Sequence, residues 1–503
     1  MTVFLISTIL VTYFLVLLTI SYFTSKADSN DAFFVGDRKS PWYVVAFGMI
    51  GASLSGITFI SIPGSVAKYS KEFGLTPADQ FGYMQMVLGY FFGYLIVAFV
   101  LLPIYYRMNL TSIYTYLKTR FGYWSYKTGS AFFLLSRLTG ASIRLLLVSS
   151  VLQLILFDEI GIPFELTVIG SVLLIWVYTN RGGIKTIIWT DTLQTFFMLA
   201  AVVCTVYLIG NDLDLNEKGG FVKAINQSGF SQVFFFDQWN NANYFWKHFL
   251  GGIFITIGMT GLDQDMMQKN LSCRNLKSAQ LNMVSFASVL IFVNLIFLVL
   301  GALLFMYFDQ TGVGKNVLDI SNPRTDLLFA EIAKNGSLGI GVGILFLLGL
   351  IAAAYSSADS ALTSLTTSFS IDFLDIESKS IEIQKKIRKN SHLLMSLTLI
   401  LIIIILRRFS NDSAIWMLIK LAGFTYGPLI GLFFFGILTK RNLIDKLVPL
   451  ISIIVPVVIG FIWYFHGQGD IEWLGTYKFG AELIIYNSML SFGSLFLISK
   501  SKS

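Results

Sequence analysis

The chain has 503 residues, of which 55% are hydrophobic and only 13% are charged. Soluble domains carry about 25% charged residues, so this composition excludes an ordinary soluble protein. The net charge is +7, but the basic residues lie in short segments between apolar runs, which argues against nucleic-acid binding. Apolar runs of about 18 residues or more recur along the whole length. They predict an all-α polytopic membrane protein, with residues 1–503 forming a single transmembrane domain.

About thirteen transmembrane helices of roughly 20 residues each are predicted. In chain order they cover residues 2–23, 41–62, 80–102, 130–156, 162–180, 186–209, 247–268, 281–306, 339–368, 391–407, 414–437, 446–465 and 479–499. No basic region precedes the first run and no small-residue cleavage site follows it, so we interpret it as a retained helix rather than a signal peptide. The two cysteines, Cys204 and Cys273, form no metal motif and predict no disulfide.

The basic residues between the spans predict the orientation of the chain. With the N-terminus outside, the cytoplasmic segments contain about 22 Lys and Arg residues, against about 11 on the exterior side. One of these cytoplasmic segments contains Lys269, Arg274 and Lys277. The positive-inside rule therefore predicts an exterior N-terminus and a cytoplasmic C-terminus.

The second and seventh spans are interrupted by glycine and proline near mid-membrane. The interrupting residues are Gly48, Gly51, Gly56, Pro63 and Gly64 in the second span, and Gly251, Gly252, Gly258 and Gly261 in the seventh. Interrupted spans in matching positions indicate a transporter binding site between inverted repeats. The alternative is that glycine is simply common in membrane helices. We predict repeats at 41–209 and 247–439, an extra helix within 1–30 and two C-terminal helices within 446–503.

A polar segment, residues 353–360, directly follows the apolar run 340–351. On a helix, Ser356, Asp359 and Ser360 lie at i, i+3 and i+4 and share one face. Polar groups at this depth are costly unless something binds them. Oxygen ligands without His or Cys suit a hard cation such as Na⁺. The alternative is a helix-packing face whose hydroxyls bond back to the backbone.

Four segments resemble the sodium/solute symporter family, and they follow one another along nearly the whole chain. They are residues 51–64, 182–191, 353–372 and 426–441. Within that family the chain is similar to the bacterial sodium–sialic acid symporters. The resemblance implies a five-plus-five inverted-repeat (LeuT-type) core and Na⁺-coupled symport by alternating access. It also implies a multi-pass protein of the bacterial inner (plasma) membrane.

The resemblance implies two Na⁺ sites. The main site would use three backbone carbonyls and two hydroxyls, from Gly51, Leu54, Ala353, Ser356 and Ser357. The second site would use side chains nearer the cytoplasm, from Asp191, Ser356, Asp359 and Ser360. At Asp359 the chain departs from these symporters, which typically have Ser there. Two carboxylates could bind the cation more tightly, or one could stay protonated and let H⁺ replace Na⁺.

The substrate is expected to bind beside the broken second span. By the same resemblance its contacts would be Ser55, Thr58, Phe81, Gln85 and Arg144. Arg144 lies within an apolar stretch, and a bidentate pair with a substrate carboxylate is the chemistry implied. We therefore expect a small carboxylated solute, sialic acid or a similar acidic sugar or organic acid. The alternative is a neutral sugar, polyol or amino acid, with Arg144 in a structural role.

Two further intramembrane cations have open roles. Arg137 lies two helical turns before Arg144, and it is expected to extend a positive path or to pair with a cytoplasmic carboxylate. Lys420 is expected to meet an anionic substrate, to neutralise a carboxylate or to reach the outer interface.

Other function classes lack their sequence signatures. The three histidines are far apart and form no catalytic or metal constellation, so we expect no enzyme. The chain contains no selectivity-filter loop of a channel. The expected partners are Na⁺, a small-molecule substrate and membrane lipids, without nucleic acid, and the protein is expected to be a monomer.

Overall fold

The computed structural model describes residues 3–24, 34–70, 72–215, 217, 219–318, 323–336, 338–408 and 414–501. The described part is helical apart from two short antiparallel strand pairs. Strand β1 (Ala67–Ser70) pairs with β2 (Gly74–Pro77), with Ala67 opposite Pro77. Strand β3 (Asn442–Leu443) pairs with β4 (Ser499–Lys500), with Asn442 opposite Lys500.

The helices are numbered in chain order. Those of the first half are α1 (Val3–Thr24), α2 (Trp42–Ser53), α3 (Gly56–Ser65), α4 (Tyr83–Ile96), α5 (Leu102–Arg107), α6 (Thr115–Arg120), α7 (Tyr123–Leu152), α8 (Phe164–Asp212) and α9 (Phe221–Gln227). Those of the second half are α10 (Phe245–Thr256), α11 (Gln264–Leu271), α12 (Leu276–Thr311), α13 (Lys315–Leu318), α14 (Leu328–Asn335), α15 (Ile340–Ser368), α16 (Ile381–Leu406), α17 (Ala414–Leu438), α18 (Val448–Gln468) and α19 (Leu483–Leu495). Single π-helical turns extend α4, α7, α10 and α15 at their C-terminal ends.

Helical structure lies at every predicted span. Nine of the described helical segments are long and apolar enough to cross a membrane, and the bent pair α2–α3 adds a tenth. Two shorter apolar helices, Phe164–Thr179 and Leu483–Ile498, lie at the predicted fifth and thirteenth spans. The interrupted α10–α11 segment lies at the predicted seventh. The polytopic all-α class is therefore confirmed, while the count of thirteen stays a prediction.

The predicted break in the second span separates α2 from α3, whose axes differ by 55°. Leu54 (ψ 77°) and Ser55 (ψ 175°) leave the helical conformation between them. Gly56 then starts α3 close to α7 and α15: a Cβ added there would lie 3.8 Å from the Cα of Ala354 and collide with the side chain of Val148. The absence of a side chain at Gly56 therefore lets the break lie directly against α7, while it stays in contact distance of α15.

The predicted loop between the fifth and sixth spans is a break inside α8. Gly183 has φ 55° and ψ −161°, a conformation that residues with a Cβ rarely adopt. The apolar parts on its two sides are Phe164–Thr179 and Thr186–Asp212. Helix α15 packs against the second of these parts and against α7, so Asp191 and the polar segment of α15 come into contact.

The seventh span contains the main departure from the sequence-based description. A π-helical turn, Ile257–Gly261, ends α10, and Asp263 caps α11 by accepting a hydrogen bond from the backbone N–H of Asp265 at 2.9 Å. Lys269 was predicted to lie in a cytoplasmic loop, and this is wrong. It lies inside α11 with 1% of its surface exposed. Its burial is possible because carboxylates surround it, as described below.

Candidate ion and substrate sites

The residues predicted for the main Na⁺ site lie where the α2–α3 break meets α15. The last carbonyls of a helix have no intrahelical partner, and those of Gly51 and Leu54 belong to the end of α2. The backbone N–H of Gly51 donates to the side-chain hydroxyl of Thr195 at 2.9 Å, which fixes this end of α2 on α8. The break also contacts the backbone of α15 beside Ala353, through Gly56.

The hydroxyl of Ser357 supports a cation at this place. It is buried, and within the described part of the chain it has no hydrogen-bond partner. A buried hydroxyl left without a partner costs roughly 1–3 kcal/mol. Hydroxyl and carbonyl oxygens can replace the water around a hard cation, and Na⁺ sites in broken membrane helices are built in this way.

The structure also brings together the four residues predicted for the second site. The Ser356 hydroxyl donates to Asp191 Oδ1 at 2.6 Å. Asp359 accepts from the backbone N–H of Ser360 at 2.5 Å and from the Tyr178 hydroxyl at 2.9 Å. All four predicted residues are buried, and the Ser360 hydroxyl has no partner among the described residues. Asp191 and Asp359 therefore lie on the shared surface of α8 and α15.

A lysine that the sequence reasoning missed completes this region. Lys269 Nζ lies 2.8 Å from Asp191 Oδ2 and 3.9 Å from Asp265 Oδ1. Asp265 also pairs with Arg137, which lies 3.8 Å from Asp263. We call the series Arg137, Asp265, Lys269 and Asp191 the ion-pair chain. It links α7, α11 and α8 through buried charges.

Arg137 thus pairs with a carboxylate, which was one of its two expected roles. Asp263, its second acidic neighbour, accepts a hydrogen bond from the Tyr426 hydroxyl at 2.6 Å. A sequence signal for this cluster existed, because Asp263 and Asp265 lie inside the predicted span 247–268. Carboxylates inside a membrane span indicate functional partners by default. Lys269 lies one residue beyond that span and was therefore counted with the loop.

A small, partly open cavity of about 80 Å³ lies beside the α2–α3 break. Its lining includes three of the predicted substrate residues, Ser55, Thr58 and Arg144. The other polar or aromatic lining residues are Ser53, Tyr83, Tyr90, Tyr94, Arg137, Thr256, Thr260 and Asn294.

Arg144 is the one predicted substrate residue with a full charge. Its side chain is buried, with 7% of the residue exposed, and it forms no ion pair with any described residue. Its Nε also lacks a hydrogen-bond partner within the described part of the chain. A buried guanidinium stays charged and is costly without an anion beside it. The geometry therefore provides a site for an anionic group in the cavity.

Phe81 and Gln85 were predicted to contact the substrate, but neither lines this cavity. The Gln85 amide nitrogen donates to the carbonyls of Gly82 at 3.2 Å and Asn243 at 3.0 Å, and its oxygen accepts from the N–H of Phe235 at 3.0 Å. Phe81 likewise bonds through its backbone N–H to the loop, at Gln232. These residues connect the loop before α10 to the start of α4, and their contact with the substrate stays a prediction.

Three further residues singled out in the sequence, Lys420, Cys204 and Cys273, do not line the cavity. The ammonium of Lys420 lies 5.6 Å from the ring centre of Trp463 on α18, and Lys420 does not line the cavity described above. Cys204 and Cys273 are free thiols, as predicted. Burial raises the pKa of the Cys273 thiol to about 12, so this thiol is uncharged at neutral pH and unreactive.

Comparison with known proteins agrees with this geometry. Residues 33–443 match the model of the sodium:solute symporter family. The sodium/sialic acid symporter NanT of Aliivibrio fischeri is 26% identical over 428 residues, covering 84% of this chain and 80% of the relative. The sodium/sialic acid symporter SiaT of Proteus mirabilis is 26% identical over 442 residues, covering 84% and 82%.

A solved structure of a Na⁺-coupled sialic acid symporter, in a substrate-bound outward-open state, superposes with a TM-score of 0.78. The superposition covers 100% of both chains at 22% sequence identity. Similarity at this level shows the fold, which is the LeuT-type transporter core expected from the resemblance.

Proposed function

The chain belongs to the sodium:solute symporter family, and on this premise we propose that its substrate is a small carboxylated solute, sialic acid or a similar acidic sugar or organic acid. Na⁺ and this solute move together by alternating access, since the family couples solute movement to sodium. The sialic acid relatives support this choice of substrate, and they match along most of the chain.

Arg144 is the observation that carries the substrate class. It is a buried cation without an ion pair to any described residue, and it lines the same cavity as the hydroxyls of Ser55 and Thr58. A carboxylate would pair with the guanidinium in a bidentate fashion. The hydroxyls and tyrosines of the lining offer hydrogen bonds to a polyhydroxylated body. One anionic group on a polar body is the ligand that satisfies both features.

The coupling ions are assigned to the two oxygen-rich places beside this cavity. The main Na⁺ site uses the carbonyls of Gly51, Leu54 and Ala353 with the hydroxyls of Ser356 and Ser357. The second uses Asp191, Ser356, Asp359 and Ser360. The unpartnered hydroxyls of Ser357 and Ser360 support these assignments. The protein is placed in a bacterial inner membrane as a monomer, with the N-terminus outside and the C-terminus in the cytoplasm.

The test compares ligands that differ only at the carboxylate. Thermal stabilisation and Na⁺-dependent uptake into proteoliposomes are measured with N-acetylneuraminic acid and with its methyl ester. The acid is expected to stabilise the protein and the ester is not. In Arg144→Gln the affinity for the acid falls at least about 30-fold, because losing one partner of a buried charge pair costs roughly 2 kcal/mol or more. Arg144→Lys restores part of the affinity, since it keeps the charge but not the planar fork.

Arg407→Gln is the matched control. Arg407 forms a half-exposed pair with Glu165 at 3.9 Å, so this variant leaves binding of the acid unchanged. Equal binding of the acid and the ester, or a normal affinity in Arg144→Gln, would contradict the carboxylate assignment. Stabilisation by neutral sugars, polyols or amino acids instead would establish the alternative, with Arg144 in a structural role.

A further inference from the structure

The place proposed for the second Na⁺ already holds a positive charge of the protein itself. Lys269 Nζ lies 2.8 Å from Asp191 Oδ2, while Ser356 donates to the other oxygen of the same carboxylate. Both charged residues are almost fully buried. An ion at this site and this ammonium therefore compete for the same carboxylate, and their like charges repel each other.

Lys269 has a second carboxylate within reach. Asp265 Oδ1 lies 3.9 Å from its Nζ, one helical turn away on α11. A lysine ammonium is a compact charge on a flexible stem of four carbons, so it can move between two acceptors without a backbone change. The ammonium can thus leave Asp191 and remain paired, which avoids the large penalty of an isolated buried charge.

The local charges leave room for an added cation. Within the described part of this cluster the cations are Arg137 and Lys269, and the carboxylates are Asp191, Asp263, Asp265 and Asp359. When the neighbouring Arg144 is counted with the cations, the carboxylates still outnumber them by one. A Na⁺ that arrives at Asp191 reduces this excess of negative charge, so its entry is favourable once the ammonium has moved.

We propose that Lys269 is a tethered competitor of Na⁺, whose ammonium holds Asp191 in the ion-free protein and moves to Asp265 when Na⁺ enters the second site. This inference rests on the proposed function. The apparent affinity for Na⁺ equals the intrinsic affinity multiplied by the fraction of molecules in which Lys269 has left Asp191. Lys269 thereby sets the Na⁺ concentration at which the second site fills.

The same movement connects the ion with the substrate cavity. Asp265 pairs with Arg137, and Arg137 lines the cavity that contains Arg144. When the ammonium of Lys269 approaches Asp265, that carboxylate is shared between two cations and its hold on Arg137 weakens. Filling of the second ion site therefore increases the positive charge available to an anionic substrate.

The experiment measures the Na⁺ concentration for half-maximal thermal stabilisation of the purified full chain, without substrate. In Lys269→Gln this concentration falls about tenfold or more, as expected if the competent state is a tenth or less of the ion-free protein. In Lys269→Arg it rises about threefold or more, because a guanidinium binds a carboxylate through two parallel hydrogen bonds. The two substitutions thus move the same readout in opposite directions.

Lys247→Gln is the matched control, because Lys247 is also a buried lysine of the interrupted seventh span. It pairs with Glu482 at 3.7 Å, away from Asp191. The control lowers the melting temperature and leaves the Na⁺ concentration for half-maximal effect unchanged. A half-maximal concentration in Lys269→Gln within twofold of the wild type overturns the proposal. If Lys269→Gln does not fold, an unchanged or lower value in Lys269→Arg overturns it.

Failure of this inference is separable from failure of the proposed function. A wild-type protein that Na⁺ does not stabilise, and that shows no Na⁺-dependent uptake, contradicts the function itself. If Na⁺ stabilises the wild type, while both Lys269 variants have the wild-type half-maximal concentration, the function stands and the role of Lys269 is rejected.

Discussion

The buried polar interior has two regions, which differ in whether their charged side chains have partners within the described protein. Around Asp191, every described carboxylate of the cluster has a partner inside the protein, from a lysine, an arginine, a tyrosine or a backbone N–H. Around Arg144, the guanidinium forms no ion pair with any described residue. Helix α7 contributes to both regions, with Arg137 in the first and Arg144 two turns later in the second.

The difference separates charges that stabilise the packing of the helices from the charge that we propose to bind the substrate. Buried charges that pair internally fix α7, α8 and α11 against one another, and removing one partner is expensive. A buried charge that stays unpaired is tolerable only if a ligand completes it. Identical residue types on one helix therefore have different functions, decided by what the neighbouring helices place opposite them.

The largest expected effect comes from removing a carboxylate of the ion-pair chain. Asp265→Ala leaves Arg137 and Lys269 without their shared carboxylate, and we expect a loss of about 3–5 kcal/mol in the free energy of unfolding. Thermal unfolding in detergent measures this loss. Lys334→Ala is the control, because its pair with Glu159 is partly exposed at 3.2 Å and contributes about 1 kcal/mol or less. Equal losses of unfolding free energy in the two variants would show that the buried ion-pair chain stabilises the protein no more than an exposed pair does.

A second change gives Arg144 an anionic partner within the protein. Gly140 lies four residues before Arg144 on α7, and the nearest atom to an added Cβ is a methyl group of Leu418 at 3.4 Å. Gly140→Asp places a carboxylate on the same helix face as Arg144. This tethered anion competes with the substrate, and the affinity for N-acetylneuraminic acid falls on the order of tenfold.

Gly140→Asn controls for the added volume, since it has the same shape without the charge. It retains most of the affinity when both variants are titrated with N-acetylneuraminic acid by isothermal calorimetry. If Gly140→Asn loses as much affinity as Gly140→Asp, the loss comes from the volume of the added side chain and not from its charge. Arg144 is then not the anion receptor.

The smallest expected effect is at Ser357, the hydroxyl at the boundary between the regions. Ser357→Ala removes one proposed Na⁺ ligand, so the Na⁺ concentration for half-maximal stabilisation rises about fivefold, for a contribution of roughly 1 kcal/mol. The stability of the Na⁺-free protein rises by about 1 kcal/mol, because the change removes a buried hydroxyl that has no described partner. Ser364→Ala is the matched control on α15, since its hydroxyl donates to the carbonyl of Ala361 at 3.0 Å and is not a proposed ligand. A lower stability of Ser357→Ala without Na⁺, or no change in its Na⁺ dependence, would assign Ser357 to helix packing.

Some of the site could be predicted because it depends on local spacing. Residues Ser356, Asp359 and Ser360 share a helix face by periodicity alone, and the glycines around Gly51 and Gly56 mark the break that the structure shows. The family prediction, which rested on whole motifs, is confirmed by the match over residues 33–443. The loop position predicted for Lys269 was wrong, and the hydrogen bonds of Gln85 were not predicted, for a common reason. Each depends on a partner distant in sequence, such as Asn243 for Gln85 and Asp191 for Lys269.

The sequence by itself determined that this is a helical membrane protein of the sodium:solute symporter family, because hydrophobic length, helix-breaking residues and motifs are local properties. Only the tertiary structure decided which buried charges are paired. Arg137 and Arg144 have the same side chain on the same helix, and nothing in their spacing shows that Asp265 reaches the first while no described carboxylate pairs with the second. Pairing follows from how α7, α8, α11 and α15 pack, since electrostatic energy in a low-dielectric interior depends on distances of a few ångströms between helices.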